Sequence, residues 1–234
     1  SINGKMQEIN IPTHIAFIMD GNGRWAKRRL MPRKYGHKMG VEALKRVIAA
    51  CDKLGVKEVS FYALSTENWS RPKDEIDALL GMIKKFADEE MKDYVDKNYR
   101  VRFMGELHRL PEETQKALES IAAAAMNNTG IVVNIGINYG GRDEIARAAA
   151  KVAERNLPVT AENIDAYLDT AGMHDPDIIV RCAGEKRLSN FMLWQSAYSE
   201  FVFVDDFWPD FGEETVLRII REYSGRERRF GGLK

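Results

Sequence analysis

The sequence predicts an α/β fold in which a mainly parallel, six-stranded sheet is flanked by helices. Short runs rich in β-branched and aromatic residues alternate with helical patterns along the chain, which is typical of parallel sheets covered by helices. The 234 residues suffice for one large domain and are too few for two comfortable ones. No repeat, low-complexity tract or linker interrupts the alternation. We therefore expect a single domain over 1–234.

The predicted strands are short β-rich runs, and polar, glycine-marked segments follow the first, second, fourth and fifth of them. The six ranges are 13–19, 57–64, 100–105, 131–138, 177–181 and 201–205. Helical patterns between them cover 40–54, 74–96, 111–126, 142–155, 162–169, 190–199 and 213–224. The pattern is clearest in 74–96, where Ile76, Leu79 and Ile83 follow the spacing of an amphipathic helix. Taken alone, this apolar stripe indicates packed core.

Charge and cysteine content limit the function classes. Acidic and basic residues balance at 35 each, so no overall field favours nucleic acid. Anion binding must therefore rest on local basic clusters, such as those at 24–38 and 218–234. Cys51 and Cys182 lack metal-site spacing and indicate a reduced, cytoplasmic setting. The N-terminal arm, 1–12, is polar, and any membrane contact is expected to be peripheral.

The first predicted strand places a carboxylate, Asp20, on a loop with two glycines and an arginine. Glycines let the backbone approach an anion closely, and turns aim N–H groups at it. The carboxylate itself suits a metal ion or a proton. The anion cradle is predicted to comprise Gly21, Gly23, Arg24, Arg33 and His37. The alternative is that Asp20 is a helix-capping or turn residue.

A second polar loop, 65–72, follows the second strand and contains a tryptophan. An exposed Trp69 is costly unless something apolar packs on it, which favours a ligand-contacting loop. The alternative for this loop is capping and turn chemistry ahead of the long helix. Glu75 falls just inside that helix, where a carboxylate also favours the helix dipole.

A third cluster, 175–191, contains two arginines around a turn. Arg181, Arg187 and Ser189, with a helix predicted to begin right after them, suit the oxygens of a diphosphate. Salt-bridging surface arginines are the alternative. Glu200 lies at the end of that predicted helix. Asp20 with Glu200 fits Mg²⁺, which prefers one or two carboxylates plus phosphate oxygens and water.

One further acidic segment, 205–210, resembles the aspartate-rich motifs of trans-type prenyl synthases. It follows a strand instead of lying on a helix, and Pro209 breaks the helical spacing that such motifs need. We interpret it as structural.

Taken together, the motifs resemble those of the cis-prenyltransferase family, bacterial undecaprenyl diphosphate synthases above all. The matching segments are HIAFIMDGNGRWAKRR, GHKMG, FYALSTENWSRP, NYGGRDE, the block 181–191, LWQSAYSEF, WPDF and RERRFGG. The resemblance implies a Mg²⁺-dependent transferase that condenses isopentenyl diphosphate onto farnesyl diphosphate in successive cis steps. The implied product is undecaprenyl diphosphate, a lipid carrier precursor for cell-wall synthesis.

The resemblance also implies roles for individual residues. Catalysis is assigned to Asp20 and Asn68. The allylic diphosphate is assigned to Asn22, Gly23, Arg24, Arg33 and His37, and isopentenyl diphosphate to Arg181, Arg187 and Ser189. A mobile loop and helix that close over substrate are assigned Ser65, Asn68, Trp69 and Glu75. Further substrate-binding residues, without a particular subsite, are Gly21, Trp25, Thr66, Glu67 and Arg71. Mg²⁺ is assigned to Asp20 and Glu200. The proton acceptor stays open among Asp20, Asn68 with Ser65, and a diphosphate oxygen.

The family pattern further implies a homodimer, with the tail 224–234 and its Arg229-Phe230-Gly231 element reaching toward the partner. It implies an apolar tunnel between the sheet and the long helices, which reverses the core interpretation of the 74–96 stripe. No membrane anchor is evident, so release of a lipid product implies transient peripheral contact with a membrane.

Two positions depart from the family pattern. Cys182 stands where many members have threonine, and beside arginine we expect a thiol of lowered pKa. Lys186 stands where bacterial members often have histidine. Three alternatives stay open: a product of another length, a non-catalytic subunit of such a complex, and a phosphate-binding hydrolase without a deep apolar cavity.

Overall fold

The computed structural model describes residues 9–226, and its six strands form one sheet, which confirms the α/β class. The strands are β1 (His14–Ile18), β2 (Glu58–Tyr62), β3 (Arg100–Met104), β4 (Val132–Gly136), β5 (Ile178–Arg181) and β6 (Glu200–Phe203). Their order in the sheet is β3-β4-β2-β1-β5-β6. The pairs β1–β5, β3–β4 and β5–β6 are parallel. Each strand falls within or next to a predicted range.

Eight α-helices lie within the described residues. They are α1 (Asn22–Arg28), α2 (Arg33–Leu54), α3 (Lys73–Glu89), α4 (Met91–Asp96), α5 (Glu112–Ala125), α6 (Gly141–Glu154), α7 (Ala161–Ala166) and α8 (Glu213–Ser224). Three short 3₁₀ helices cover Thr66–Ser70, Leu107–Arg109 and Trp208–Asp210. Helix α1 was not predicted, α2 begins earlier than expected, and the predicted 74–96 helix divides at Glu90.

The helix predicted over 190–199 is wrong, because this segment is a series of turns. Ser189, Asn190 and Met192 have φ angles of 50°, 65° and 45°, a left-handed conformation that a right-handed helix cannot contain. Phe191 is fully buried and stacks on Tyr62 with ring centroids 4.7 Å apart. The helix N-terminus expected to face a diphosphate after Ser189 is therefore absent from the described structure.

Residue contacts divide the chain into two compact units. The first comprises the described residues up to Val59, then Asp175–Arg187, and the described residues from Gln195 onward. The second comprises Ser60–His174 and Leu188–Trp194.

The core of the first unit is an aromatic group beneath β1. Phe17 contacts Trp208 and Phe211, with ring centroids 5.8 and 6.4 Å away. The indole N–H of Trp208 donates to the carbonyl of Gly40 in α2 at 2.9 Å, so this core fixes α2. At the start of the strands, the Asp177 carboxylate accepts the backbone N–H groups of Thr13 and His14 at 2.8 and 3.1 Å.

Helices α1 and α2 of the first unit pack backbone to backbone through a glycine. A Cβ on Gly36 would lie 2.1 Å from the carbonyl oxygen of Asn22, a distance that no side chain tolerates. Gly36 is buried, and so is Ala26 across from it. The glycine thus lets the two helices approach closely and sets the position of the segment that follows Asp20.

The second unit is organised by β3, β4 and a partly buried ion-pair network. The Arg147 guanidinium makes two bonds to Asp169 at 2.8 and 2.7 Å and one to Asp143 at 2.8 Å, and these contacts raise the pKa of Arg147. Glu144, 1% exposed, accepts the Tyr139 hydroxyl at 2.6 Å and the Asp169 backbone N–H at 3.0 Å. The network ties α6 to the segment that follows α7.

Helix α3 leaves much of its apolar face uncovered within the described residues. Leu80 and Ala87 are buried, whereas the other apolar residues of the stripe are partly exposed. These are Ile76, Leu79, Met82, Ile83 and Phe86. The predicted amphipathic pattern is therefore present, but only part of it serves as core. Over residues 9–226, every helix is too short or too polar to cross a bilayer.

Candidate active site

Asp20 lies two residues beyond the carboxyl end of β1, with a guanidinium next to each carboxylate oxygen. Arg181, the last residue of β5, is 5% exposed and donates to Oδ2 at 3.1 Å. Arg24 approaches Oδ1 at 3.6 Å and is about half exposed. Because β1 and β5 are parallel neighbours with Ile18 opposite Arg181, their carboxyl ends bring these groups together.

Arg187 and Glu185 extend this cluster. The Arg181 guanidinium also donates to the carbonyl of Arg187 at 3.1 Å, which folds the 181–187 turn back on itself. Glu185 accepts Arg187 at 2.6 Å and lies 3.9 Å from Arg24. The Arg187 side chain is 62% exposed. The site therefore has one buried guanidinium and two exposed ones around two carboxylates. The two exposed arginines, Arg24 and Arg187, can leave their carboxylate partners and bind a diphosphate instead.

Gly21 is required by the local backbone and by crowding. Its φ of 93° lies in the left-handed region, and a Cβ there would lie 2.5 Å from the ring of Phe207. The Gly21 N–H donates to Asp20 Oδ1 at 2.8 Å, and the Asp20 carbonyl accepts the Trp208 N–H at 2.9 Å. The Asp20 backbone is therefore held on both sides.

Four predicted allylic-site residues follow on α1 and α2. Asn22 opens α1, and Gly23 lies beside the Arg33 side chain, whose Nε would be 3.4 Å from a Cβ at that glycine. His37 is half-buried one turn further along α2. Asn22, Gly23 and Arg33 therefore adjoin the Asp20 loop in the same unit.

Trp25 faces inward from α1. It is 8% exposed, its indole N–H donates to Asp210 at 2.8 Å, and its ring lies between Tyr35 and the Arg29 guanidinium. A role for Trp25 in contacting substrate stays a prediction, since in the structure its ring and N–H are engaged within the protein. Asp210, which belongs to the segment 205–210 that we interpret as structural, thus has a hydrogen-bond partner in α1.

The structure does not bring Glu200 to Asp20 within one chain. Glu200 begins β6 opposite Ile178, at the amino end of β5, whereas Asp20 follows the carboxyl end of β1. Glu200 is level with Ile15, five residues before Asp20, so the three residues of strand up to Ile18 alone separate the two levels by roughly 10 Å along the sheet. Glu200 instead pairs with Arg226 at 3.3 Å. The sequence suggested the pairing because Mg²⁺ prefers one or two carboxylates, a preference that carries no information on the distance between them.

Cys182 does not have the lowered pKa expected from its arginine neighbour. The residue is fully buried, and burial raises the pKa of its thiol, an effect that outweighs the nearby Arg181 charge. Burial also raises the pKa of the Cys51 thiol. Cys182 therefore acts as a small packing residue behind the Asp20 loop.

The second unit presents a separate predicted cluster, the loop of Ser65–Ser70. Ser65 and Asn68 form a capping box, in which the Asn68 amide oxygen accepts the Ser65 N–H at 2.7 Å and the Ser65 hydroxyl at 3.1 Å. The capping alternative is thus part of this loop's structure. Glu67 accepts the Asn190 amide at 3.2 Å, and Arg71 pairs with Glu75 at 2.7 Å.

Sequence reasoning noted the NYGG segment but did not place its residues in the site. Thr66 N–H donates to the Tyr139 carbonyl at 3.0 Å, and the Trp69 indole donates to the Asn138 amide oxygen. A Cβ on Gly140 would lie 2.7 Å from the Thr66 hydroxyl. The Tyr62 hydroxyl donates to the carbonyls of Tyr139 and Ser189 at 3.0 and 3.2 Å. This platform holds both the loop and Ser189 within the second unit.

The metal chemistry of the site rests on few carboxylates. Among residues 9–226, no three His, Cys, Asp or Glu side chains form a ligand cluster. Asp20 offers a single, one-third-exposed carboxylate beside cationic donors. That donor set fits a hard cation such as Mg²⁺ only if substrate phosphates and water complete its shell.

Comparison with known proteins agrees with this geometry. The family model described as "Putative undecaprenyl diphosphate synthase" matches residues 18–231. An isoprenyl transferase from Clostridium perfringens is 47% identical, over 97% of this chain and 92% of its own length. The farnesyl-diphosphate-specific ditrans,polycis-undecaprenyl-diphosphate synthase of Micrococcus luteus is 44% identical, over 99% of this chain and 96% of its own.

Solved structures give the same result. Lavandulyl diphosphate synthase from Lavandula x intermedia, in complex with dimethylallyl diphosphate, superposes with a TM-score of 0.90 at 34% identity, covering 95% of this chain and 99% of that one. A probable undecaprenyl diphosphate synthase from Campylobacter jejuni gives 0.83 at 34% identity, covering 95% and 100%. Fold and site thus define a prenyl-transferring α/β enzyme. The chain belongs to the undecaprenyl diphosphate synthase family.

Proposed function

We propose that this enzyme condenses isopentenyl diphosphate onto farnesyl diphosphate in successive cis steps and yields undecaprenyl diphosphate. The observation that carries the proposal is the Asp20 carboxylate between Arg24 and the buried Arg181. Ionisation of an allylic diphosphate leaves an anion, and preorganised guanidiniums stabilise that charge as it develops. The relative from Micrococcus luteus, with its farnesyl diphosphate specificity, supports this starter.

We assign the two substrates to the two sides of Asp20. Asn22, Gly23, Arg24, Arg33 and His37, with Gly21, form the allylic diphosphate side. Arg181 and Arg187, with Ser189, hold isopentenyl diphosphate. The exposed Arg24 and Arg187 side chains already share Glu185, so each can move to a diphosphate without being desolvated first. For the loop Ser65–Ser70, with Asn68, Trp69 and Glu75, we propose the substrate-covering role that the family resemblance implies.

We propose Mg²⁺ as the cofactor, with Asp20 as its protein ligand. Bound with a diphosphate, the ion supplies charge neutralisation for the leaving group. Asp20 is suited to this because it is partly exposed, while its second oxygen is oriented by Arg181. Glu200 can contribute only from another copy of the chain, because its own Asp20 lies at the other end of the strands.

We also propose that the enzyme is a homodimer, since Glu200 can reach a metal site only in another copy of the chain. Strand β6 is an edge of the sheet, and its Phe201 and Phe203 side chains are 37% and 41% exposed. Exposed aromatic residues on an edge strand favour a protein contact. The tail 224–234, which we expect to reach the partner, lies beyond the described residues apart from 224–226.

The growing chain requires an apolar wall, which we assign to α3. Its partly exposed residues, among them Leu79, Ile83 and Phe86, provide a continuous apolar face in the second unit. A tunnel along this face explains why the stripe is not fully used as core. We place the enzyme in the cytoplasm, in keeping with two unpaired buried thiols, with peripheral membrane contact for product release.

A product of another length is the second candidate. The similarity to lavandulyl diphosphate synthase means that this fold also serves shorter prenyl diphosphates. Sizing the lipid product by chromatography decides between the two, because the length of the cavity, not the diphosphate site, sets where elongation stops.

The test is an elongation assay with farnesyl diphosphate, labelled isopentenyl diphosphate and Mg²⁺. We expect Asp20→Ala to lower the rate at least about 100-fold, because the substitution removes the proposed protein ligand of the Mg²⁺ that neutralises the leaving diphosphate. The matched control is Asp206→Asn, whose carboxylate pairs with Arg218 at 2.6 Å in the structural segment and should leave elongation unchanged. An unmodified protein that forms no product would support the non-catalytic subunit or the hydrolase instead.

A further inference from the structure

The segment that joins α1 to α2, with the adjoining end of each helix, has an unusual combination of residues and exposure. All eight residues of 27–34, with the sequence KRRLMPRK, are exposed, and Leu30 is 94% exposed, the largest value among the apolar residues of the described chain. Met31 beside it is 42% exposed. We call 27–34 the basic loop.

The conformation of Leu30 makes its exposure informative. The N–H of Leu30 bonds to the carbonyl of Lys27, and the N–H of Met31 to that of Ala26, which is the hydrogen-bond pattern of a Schellman helix ending. Leu30 has φ of 56° and occupies the left-handed position of this motif, where glycine is the usual residue. Leucine therefore adds backbone strain there and gains no burial within the chain. The fold gives no reason for this residue.

The charge around Leu30 is of one sign. Residues 21–41 include seven Lys or Arg and no Asp or Glu. Arg24 pairs with Asp20 and Glu185, and Arg29 lies 3.8 Å from Asp210. Among the described residues, Lys27, Arg28, Lys34 and Lys38 have no carboxylate within ion-pairing distance, although the whole chain is neutral. An exposed leucine surrounded by basic side chains without carboxylate partners is complementary to an anionic lipid surface.

We infer that the basic loop is a membrane-docking surface that inserts Leu30 and Met31 among anionic lipid headgroups. Lys27, Arg28 and Lys34 then lie at the phosphate level, as basic residues around an interfacial apolar anchor do. Four residues of the basic loop, Arg33 among them, line an open pocket of about 520 Å³ together with Gly23 and Arg24. Docking would bring this diphosphate-binding side to the bilayer surface. The inference rests on the proposed function only in supposing a lipid substrate or product.

The test uses purified protein and vesicle flotation. Vesicles of phosphatidylcholine with about one third phosphatidylglycerol are compared with vesicles of phosphatidylcholine alone. We expect binding to the anionic vesicles that weakens with added salt. Lys27→Gln and Lys34→Gln should each lower the partition coefficient about fivefold, from the loss of one surface charge near the lipid.

Leu30→Gly separates docking from folding. We expect it to lower vesicle binding about tenfold, from the loss of one inserted leucine, and to raise Tm by about 2–4 °C, because glycine relieves the left-handed strain. The matched control is Val159→Ser, since Val159 is 66% exposed on the second unit and lies outside the basic loop. It should leave vesicle binding unchanged.

Several outcomes overturn the inference. These are no binding to anionic vesicles, equal binding by the Leu30→Gly variant, an equal loss in the control, or a Leu30→Gly variant that loses binding together with thermal stability. Elongation assayed in detergent keeps the two proposals apart. Elongation without vesicle binding removes only the docking surface, and vesicle binding without elongation removes only the proposed activity.

Discussion

The close packing of α1 on α2 makes Gly36 a sensitive position, and a Gly36→Ala variant tests it. The new Cβ would start 2.1 Å from the Asn22 carbonyl oxygen, so the helices must separate by about 1 Å. Overpacking of this kind costs about 3 kcal/mol, while alanine in a helix recovers about 1 kcal/mol relative to glycine. We expect a net loss of about 2 kcal/mol, or about 4–8 °C in Tm.

Gly81 provides the matched control. It lies exposed in α3, and a Cβ there would have no neighbour within 4 Å. Gly81→Ala should therefore gain the full helix-propensity benefit of about 1 kcal/mol and raise Tm by about 2–4 °C. Thermal unfolding followed by circular dichroism, with urea titration as a second measure, gives both values.

The Gly36→Ala variant should also have altered activity. Separation of the helices displaces Asn22 and with it Gly23 and Arg24, so we expect slower elongation at temperatures where the variant stays folded. A Gly36→Ala protein as stable as the Gly81→Ala protein would refute the packing argument. A destabilised protein with normal elongation would refute the link between this glycine and the diphosphate loop.

Two further predictions concern buried groups. Tyr139→Phe removes the 2.6 Å bond to Glu144 and should lower the free energy of unfolding by about 1.5–3 kcal/mol in urea titration; an unchanged midpoint would contradict it. Burial raises the pKa of Tyr139, Cys51 and Cys182, so the unfolded chain loses these protons at lower pH than the native protein. Stability should therefore fall as pH rises above about 9, in urea titrations from pH 7 to 11, and a flat profile would count against this burial.

The sequence was a good guide to the fold wherever an element is long and periodic. Strands β1, β2, β4 and β5 were recognisable as short β-rich runs that are buried along most of their length. Strands β3 and β6 have the same short β-rich pattern with part of each exposed, and α3 was recognisable because its apolar residues recur at helical spacing. Helix α1 was missed since it has seven residues and only Trp25 and Ala26 are buried. The first turns of α2 were missed because Gly36 and Gly40, which are buried there, give no hydrophobic signal.

The failure to predict the structure of 190–199 has a physical cause. The segment has the composition of a helix, but Phe191 stacking on Tyr62 and the bond from Gly141 N–H to the Asn190 carbonyl impose turns on it. Such long-range contacts leave no local pattern. Asp20, Arg24 and Arg181 were easier to anticipate, because residues after parallel strands gather at one edge of a sheet.

The Asp177 carboxylate, which accepts hydrogen bonds from the backbone N–H groups of Thr13 and His14, has a consequence for the folding of the protein during synthesis. It joins segments 163 and 164 positions apart, and β1 has no β5 partner until residues 178–181 have been synthesised. During translation the N-terminal strand must therefore wait for most of the chain while its apolar residues stay without that partner. Pairings over such distances form slowly, so we expect chains interrupted before Asp177 to leave β1 exposed and prone to aggregation.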